Sequence, residues 1–356
     1  GFVMHTARLV AVGDISFGDH YASASIGINS FHKKNPTTNL FSKVKDFVIS
    51  ADLAFGNLET VLSDYNLDKN RLHSMHMRGS PYQIQFLVDA GFNVLNIANN
   101  HMLQHGAEAF KETVHLLQQH DIGIVGLAKS NGRNCIPYIT KLCNKEIVFL
   151  GYGFESDKYY NGITLYAHGN EDSVIDDIRT YKNHNNFVVC SFHWGNEFVP
   201  YPSIEQINLA RKSIEAGCDL ILGHHPHVLN SYEMWKKRSV FYSLGNFIFD
   251  QLCNPNCREG SLIQLSFDEK IWNIEKIILT QINEDFKDKE TPVFISILNG
   301  AFMFTADLFK ELKINSYLSF VKFASYQGTS SSGEVKELIG LNEDLKDKNV
   351  IVLEDI

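Results

Sequence analysis

Residues 216–230 read AGCDLILGHHPHVLN, and the way this stretch divides decides the architecture. The preceding residues, SIEQINLARKSIEA (203–216), carry the apolar spacing of a helix, and Gly217 ends it, because a glycine accepts the left-handed backbone of a helix stop without a Cβ clash. CDLILG (218–223) is then a short apolar run of the kind that forms a buried strand. His224, His225 and His227 follow at once. A helix, a strand and a cluster of imidazoles at the strand's carboxyl end describe an α/β domain whose functional groups gather beyond its strand ends.

The same order recurs through the first 250 residues. RLVAVGD (8–14) is a strand ending in a turn. YQIQFLVDAGF (82–92) places Ile84, Leu87 and Val88 on one helical face and stops at Gly91, before the strand NVLNIA (93–98). AEAFKETVHLLQQH (107–120) is a helix, and EIVFLGY (146–152) and NFVVCSF (186–192) are strands. Residues 260–280 alternate like a β-hairpin turning near Asp268, Glu269 and Lys270. A charged stretch, INEDFKDKET (282–291), then precedes a new strand, PVFISIL (292–298). The expected division is therefore a first domain over 1–279 and a second over 280–356, which suits a chain of 356 residues. No internal repeat or low-complexity segment is visible.

A hydrophobic fraction of 44%, with 25 Phe and 14 Tyr, supports packed cores. A formal charge of -9 without a basic stripe argues against a nucleic-acid surface. No apolar run approaches the roughly 18–20 residues of a transmembrane helix, so no membrane segment is expected. Six cysteines without paired spacing suit a reducing compartment, and Cys253 and Cys257 in CNPNC read as plain thiols rather than a metal knuckle. No signal peptide follows Gly1. The expected location is the cytoplasm, or an exported or anchored one if a segment precedes Gly1.

Polar residues concentrate where the strands end. Asp14 closes the first strand; ADLAFGNLET (51–60) delivers Asn57 and Glu59; VLNIANNH (94–101) delivers Asn99, Asn100 and His101. CSFHWG (190–195) adds His193, and the opening stretch adds its three histidines. Singly, each has a structural reading: an imidazole after a strand caps or packs, and an asparagine serves its turn. Five such strand ends together point to a metal site. Carboxylate, amide and imidazole without thiolate suit a borderline divalent ion such as Mn, Fe or Zn.

VGDISFGD (12–19), GNLET (56–60), AGFNVLNIANNHMLQHG (90–106), FHWGNEF (192–198), AGCDLILGHHPHVLN (216–230) and FYSLGNFIFD (241–250) resemble, in order, the motifs of the CapA family of poly-γ-glutamate capsule-synthesis proteins, within the calcineurin-like metallophosphoesterase superfamily. The resemblance implies a four-layer αββα sandwich with two metal ions at the strand ends. It makes Asp14 a ligand of one metal and Glu59 the bridging carboxylate, with Asn100, His193, His225 and His227 completing the shells and His101 as general acid. Arg78 in HMRGSP (76–81) matches a family position near the cleft and either pairs with an anionic, phosphorylated substrate or is an ordinary surface arginine. Two departures stand out. Ser16 stands where the superfamily's first motif, Asp-x-His, has its histidine, which leaves one metal short of a ligand, and Gln104-His105-Gly106 replaces the usual Asp-Tyr-Gly, which removes a charge beside His101. His224 is expected to flank the metal-binding pair rather than join it.

Residues 280–356 resemble, nearly continuously, the N-terminal part of a hypoxanthine phosphoribosyltransferase. The resemblance makes Leu298, Asn299 and Gly300 the turn whose backbone meets pyrophosphate, Ser325–Gly333 the lid over the ribose, and Glu354 and Asp355 the acidic pair on the ribose hydroxyls, with Mg as the cofactor of a complete domain. The family's phosphate-binding loop and purine contacts would follow Ile356. The fold expected here is a truncated phosphoribosyltransferase-type α/β domain, inactive as it stands. Three functions are therefore open: a metal-dependent hydrolase, a non-hydrolytic part of capsule-polymer assembly, and purine salvage by a longer chain.

Overall fold

The computed structural model describes residues 7–19, 27–154, 165–251, 254–267, 272–280, 293–298, 317–324, 336–339 and 350–353. The chain divides into two compact units, Gly1–Glu275 and Lys276–Ile356. The first unit begins with β1 (Ala7–Ile15) and β2 (Leu53–Leu58), the two-residue partners β3 (Val61–Leu62) and β4 (Arg78–Gly79), then β5 (Val94–Asn96) and β6 (Gly123–Val125). It continues with β7 (Tyr138–Leu142), β8 (Lys145–Gly153), β9 (Asn186–His193), β10 (Leu220–His224), β11 (Tyr232–Trp235) and β12 (Arg238–Phe241). β13 (Asn246–Ile248) and β14 (Gly260–Phe267) follow, and β15 (Trp272–Thr280) runs across the division at Glu275.

Two sheets result. One runs β15-β14-β1-β2-β5-β6 with β13 also on β1; the other runs β11-β12-β10-β9-β8-β7. Their central strands are parallel: β1 with β2, β2 with β5, β8 with β9, and β9 with β10. Parallel strands need crossovers and are covered on both faces, so they read as unbroken apolar runs. All eight residues of β9 are buried, whereas the edge strand β7 alternates. The turn expected at 268–270 lies outside the described residues, but β14 and β15 are sheet neighbours on either side of it.

Phe55 of β2 stacks on Phe149 of β8 at 6.0 Å with the rings nearly parallel, so the two sheets meet through these side chains. Burying each such ring contributes roughly 2–3 kcal/mol. On the other face of the second sheet, Val148, Leu150, Val188, Cys190 and Ile221 pack with Val174, Ile178, Leu209 and Ile214 from the helices Glu171–Tyr181 and Ile204–Ala216. Both helices start in capping boxes. The Ser203 hydroxyl accepts from the Gln206 amide at 3.2 Å while the Gln206 side chain accepts from the Ser203 amide at 3.0 Å. Gly217 ends the second helix at φ 123°, the stop read from the sequence.

The second unit contains a four-stranded sheet with β16 (Val293–Leu298), β17 (Tyr317–Ala324), β18 (Lys336–Ile339) and β19 (Val350–Leu353) in the order β18-β17-β16-β19. β16 is parallel to both β17 and β19, and Ser296 is in register with Leu353. The chain therefore leaves β16 after Leu298 and β19 after Leu353 at the same edge of the sheet. Asn299, Gly300, Ser325–Gly333, Glu354 and Asp355 lie outside the described residues.

A candidate metal centre at the strand ends

Register brings the first donors together. Asp14, near the end of β1, is in register with Asn57 of β2 on one side and Asn246 of β13 on the other. Asn57 is in register with Asn96 of β5 in turn. On the second sheet, His193 ends β9 directly beside His224, which ends β10. Side chains at matched strand ends emerge on the same edge, so both sheets deliver their polar residues to one place.

Asp14, Glu59, His193, His224, His225 and His227 are all buried there. Glu59 Oε1 lies 3.3 Å from His193 Nε2 and 3.3 Å from His227 Nε2. Asp14 Oδ2 lies 3.1 Å from His227 Nδ1 and accepts from the His225 amide at 3.4 Å, and Asp14 Oδ1 lies 3.3 Å from His224 Nδ1. Two groups of donors are spaced for a metal ion, Glu59 with His225 and His227, and Asp14 with Glu59 and His193, the donor atoms of each lying within 4.8 Å of one another. Glu59 belongs to both. His225 and His227 hold positive φ, 98° and 59°, an uncommon state for non-glycine residues that clusters at functional sites.

Asn57 organises the carboxylates. Its amide nitrogen donates to Asp14 Oδ1 at 2.9 Å and Glu59 Oε2 at 3.3 Å, while its oxygen accepts from Asn96 at 2.8 Å and Asn99 at 3.3 Å. Asn246 Oδ1 lies 2.9 Å from His227 Nδ1, so that nitrogen donates and Nε2 is left facing Glu59. Burial, the largest single influence, would raise the Glu59 pKa, but His227 and His193 together outweigh it and bring the group down to about 2. Asp14 likewise sits well below the ordinary carboxylate value: burial opposes this, and the contacts with His224 and His227 prevail. Burial works against a charged His227 too, yet Glu59 and Asp14 hold it well above the ordinary imidazole value. His225 goes the opposite way, lowered by burial and then by His193 and His227. Fully buried carboxylates need such compensation, since an isolated buried charge costs several kcal/mol.

His101 Nδ1 lies 2.8 Å from Gln104 Oε1, which makes Nδ1 the donor and leaves Nε2 as the other working nitrogen. Burial lowers the His101 pKa. The Asn100 side-chain oxygen is buried with no hydrogen-bond partner among the described residues. Arg78 is buried and so is no ordinary surface arginine: its Nη1 donates at 2.9 Å to the backbone carbonyls of both Ser63 and Tyr65. His224, set aside in the sequence reading, touches Asp14. Asn96, Asn246 and Gln104 were not singled out as site residues. For the first two the available signal was strand register, which a sequence does not print.

These features define an α/β protein with a histidine–carboxylate centre at the carboxyl ends of its strands. The description "Bacterial capsule synthesis protein PGA_cap" matches residues 8–251, and the chain belongs to that family. The capsule biosynthesis protein CapA of Bacillus anthracis is 32% identical over 289 residues, covering 78% of this chain and 67% of that protein. The PGA biosynthesis protein CapA of Bacillus subtilis is 31% identical over 261 residues, covering 71% and 66%. The description "Phosphoribosyl transferase domain" matches residues 270–356, and a hypoxanthine-guanine phosphoribosyltransferase of Staphylococcus epidermidis is 40% identical over 90 residues, 25% of this chain. The chain thus joins a CapA-family part to a phosphoribosyltransferase domain; it spans about two thirds of the CapA relatives and 50% of that transferase. A solved structure of a hypothetical protein from Thermus thermophilus has a TM-score of 0.48 at 12% identity, covering 76% of this chain and 98% of its own. Among the described residues no helix is long and apolar enough to cross a membrane.

Proposed function

We propose that the first unit is a metal-dependent hydrolase of the phosphoesterase type, with the αββα layering of that superfamily, acting on a small anionic substrate. The observation that carries the reading is the sharing of Glu59 between two donor groups. The residues suit a pair of divalent ions: Asp14, Glu59 and His193 would hold one, Glu59, His225 and His227 the other, and the unpartnered Asn100 oxygen is a neutral donor in the sequence next to His101. Borderline Mn, Fe or Zn fits these imidazole and carboxylate donors. Such ions, when bound, neutralise a phosphoryl group and lower the pKa of water.

The chain's own residues do the rest. Asn57 fixes both carboxylates so that their oxygens need not reorganise. His101, held through Nδ1 by Gln104, presents Nε2 for proton transfer to a leaving oxygen. Arg78 supports the loop at 63–65 through its carbonyl bonds.

The test is metal analysis of the purified protein together with hydrolysis of an aryl phosphate. Wild type is expected to hold two ions and to hydrolyse, and Asp14→Ala and His193→Ala to lose activity. Full phosphatase activity in both variants sinks the reading. Metal uptake without hydrolysis of any phosphoester favours a non-hydrolytic part in capsule-polymer assembly, which the names of the Bacillus relatives support. The second unit is read as the start of a purine phosphoribosyltransferase, with Mg as its ion; phosphoribosyl transfer to hypoxanthine by a chain extended past Ile356 is its test.

A further inference from the structure

His224 lies fully buried at the end of β10, with its ring 5.8 Å from Phe55 of the other sheet. An apolar side chain would fill that space at lower desolvation cost, so the imidazole calls for a reason. Neither ring nitrogen has a hydrogen-bond partner among the described residues, and its one short polar approach is the ion-pair contact of Nδ1 with Asp14 Oδ1, at 3.3 Å. Neither of the two donor groups spaced for a metal includes it.

Asp14 has two oxygens with different surroundings. Oδ1 is approached by Asn57 from β2 and by His224 from β10, one from each sheet. Oδ2 faces the loop after β10, at the His225 amide and His227 Nδ1. Contacts on Oδ1 from both sides restrict the rotation of the carboxylate and keep its other oxygen toward the histidines. We propose that His224 is a positioning residue for Asp14: its Nδ1, close against Oδ1, holds that oxygen in place from the second sheet. This rests on the metal-centre reading above and adds to it a residue that touches no ion. Partners that orient metal ligands typically change affinity by about 10–100-fold when removed.

Asparagine can place its amide nitrogen close to where a histidine places Nδ1, and glutamine reaches past it. Three variants, His224→Asn, His224→Gln and His224→Leu, separate the possibilities. Mn and Zn binding is measured by competition with a chromogenic chelator, with circular dichroism to follow the fold. His224→Asn is expected to stay within about threefold of wild type, and His224→Gln and His224→Leu to lose about tenfold or more at one of two ions. If His224→Leu does not fold, the contrast between Asn and Gln decides. Equal loss in Asn and Gln variants overturns the proposal in favour of direct ligation, and unchanged affinity in the Gln variant overturns it in favour of a packing role. A wild-type chain that takes up no metal overturns the function reading itself, and this role with it.

Discussion

Glu59 and His227 meet with Oε1 and Nε2 3.3 Å apart, both buried, one following a strand of the first sheet and the other following a strand of the second. His193 approaches the same oxygen at the same distance. Glu59→Gln keeps the shape and removes the charge that both donor groups share. Metal content measured by mass spectrometry is expected to fall from two ions to one or none, with little change in the circular dichroism. Two ions retained in this variant would show that Glu59 bridges nothing.

The direction of the pKa shifts sets the pH behaviour. His227 lies above its usual 6.5 without metal, so it contributes stability that is complete below pH 6.5 and is lost as pH rises through its folded value. Glu59, lowered from 4.5 to about 2, contributes stability present above pH 4.5 and lost as pH falls toward 2. Urea unfolding in excess chelator should therefore show this centre's contribution greatest between about pH 4.5 and 6.5. A cation at Nε2 must displace the His227 proton, so metal affinity should rise up to about tenfold per pH unit below the folded His227 value, with proton release seen by calorimetry.

His101 has an amide where the CapA pattern has a carboxylate. Gln104→Glu puts a negative charge beside Nδ1, which favours the imidazolium. A protonated His101 is the form able to act as an acid, and burial lowers its pKa in the native chain. The alkaline limb of the kcat/KM profile for an aryl phosphate should therefore move up by about one pH unit in this variant. An unmoved limb would remove His101 from proton transfer.

Gly13 shows how backbone contact supports the centre. A Cβ at this position would stand 1.9 Å from the Gly245 carbonyl oxygen, which accepts from the Asp14 amide at 2.9 Å. Gly13→Ala must push β1 and β13 apart next to Asp14 and Asn246. The expected cost is about 2–3 kcal/mol in urea unfolding, with metal affinity lowered as well. Wild-type values for both would mean the strands part without moving Asp14.

Much was legible from the chain alone because the signals were local. Gly91 and Gly217 stop helices at positions that depend only on their missing Cβ, and the apolar runs of β8, β9 and β10 identify strands covered on both faces. Val88 was less legible: it shares a helical face with Ile84 and Leu87 but is only half-buried, because burial depends on what covers the helix.

The sequence by itself determined the α/β class, the family and the donor types at each strand end, since periodicity, turn residues and motif order are written along the chain. Only the tertiary structure decided which donors share an oxygen, that His224 reaches Asp14 from the neighbouring sheet, that Gln104 holds His101, and that Arg78 donates to the carbonyls of Ser63 and Tyr65. The long-range contacts depend on strand register and on how two sheets face each other. Ångström-scale distances between residues as far apart as Asp14 and His224 are set by that packing, whereas the residues themselves are set by the chain.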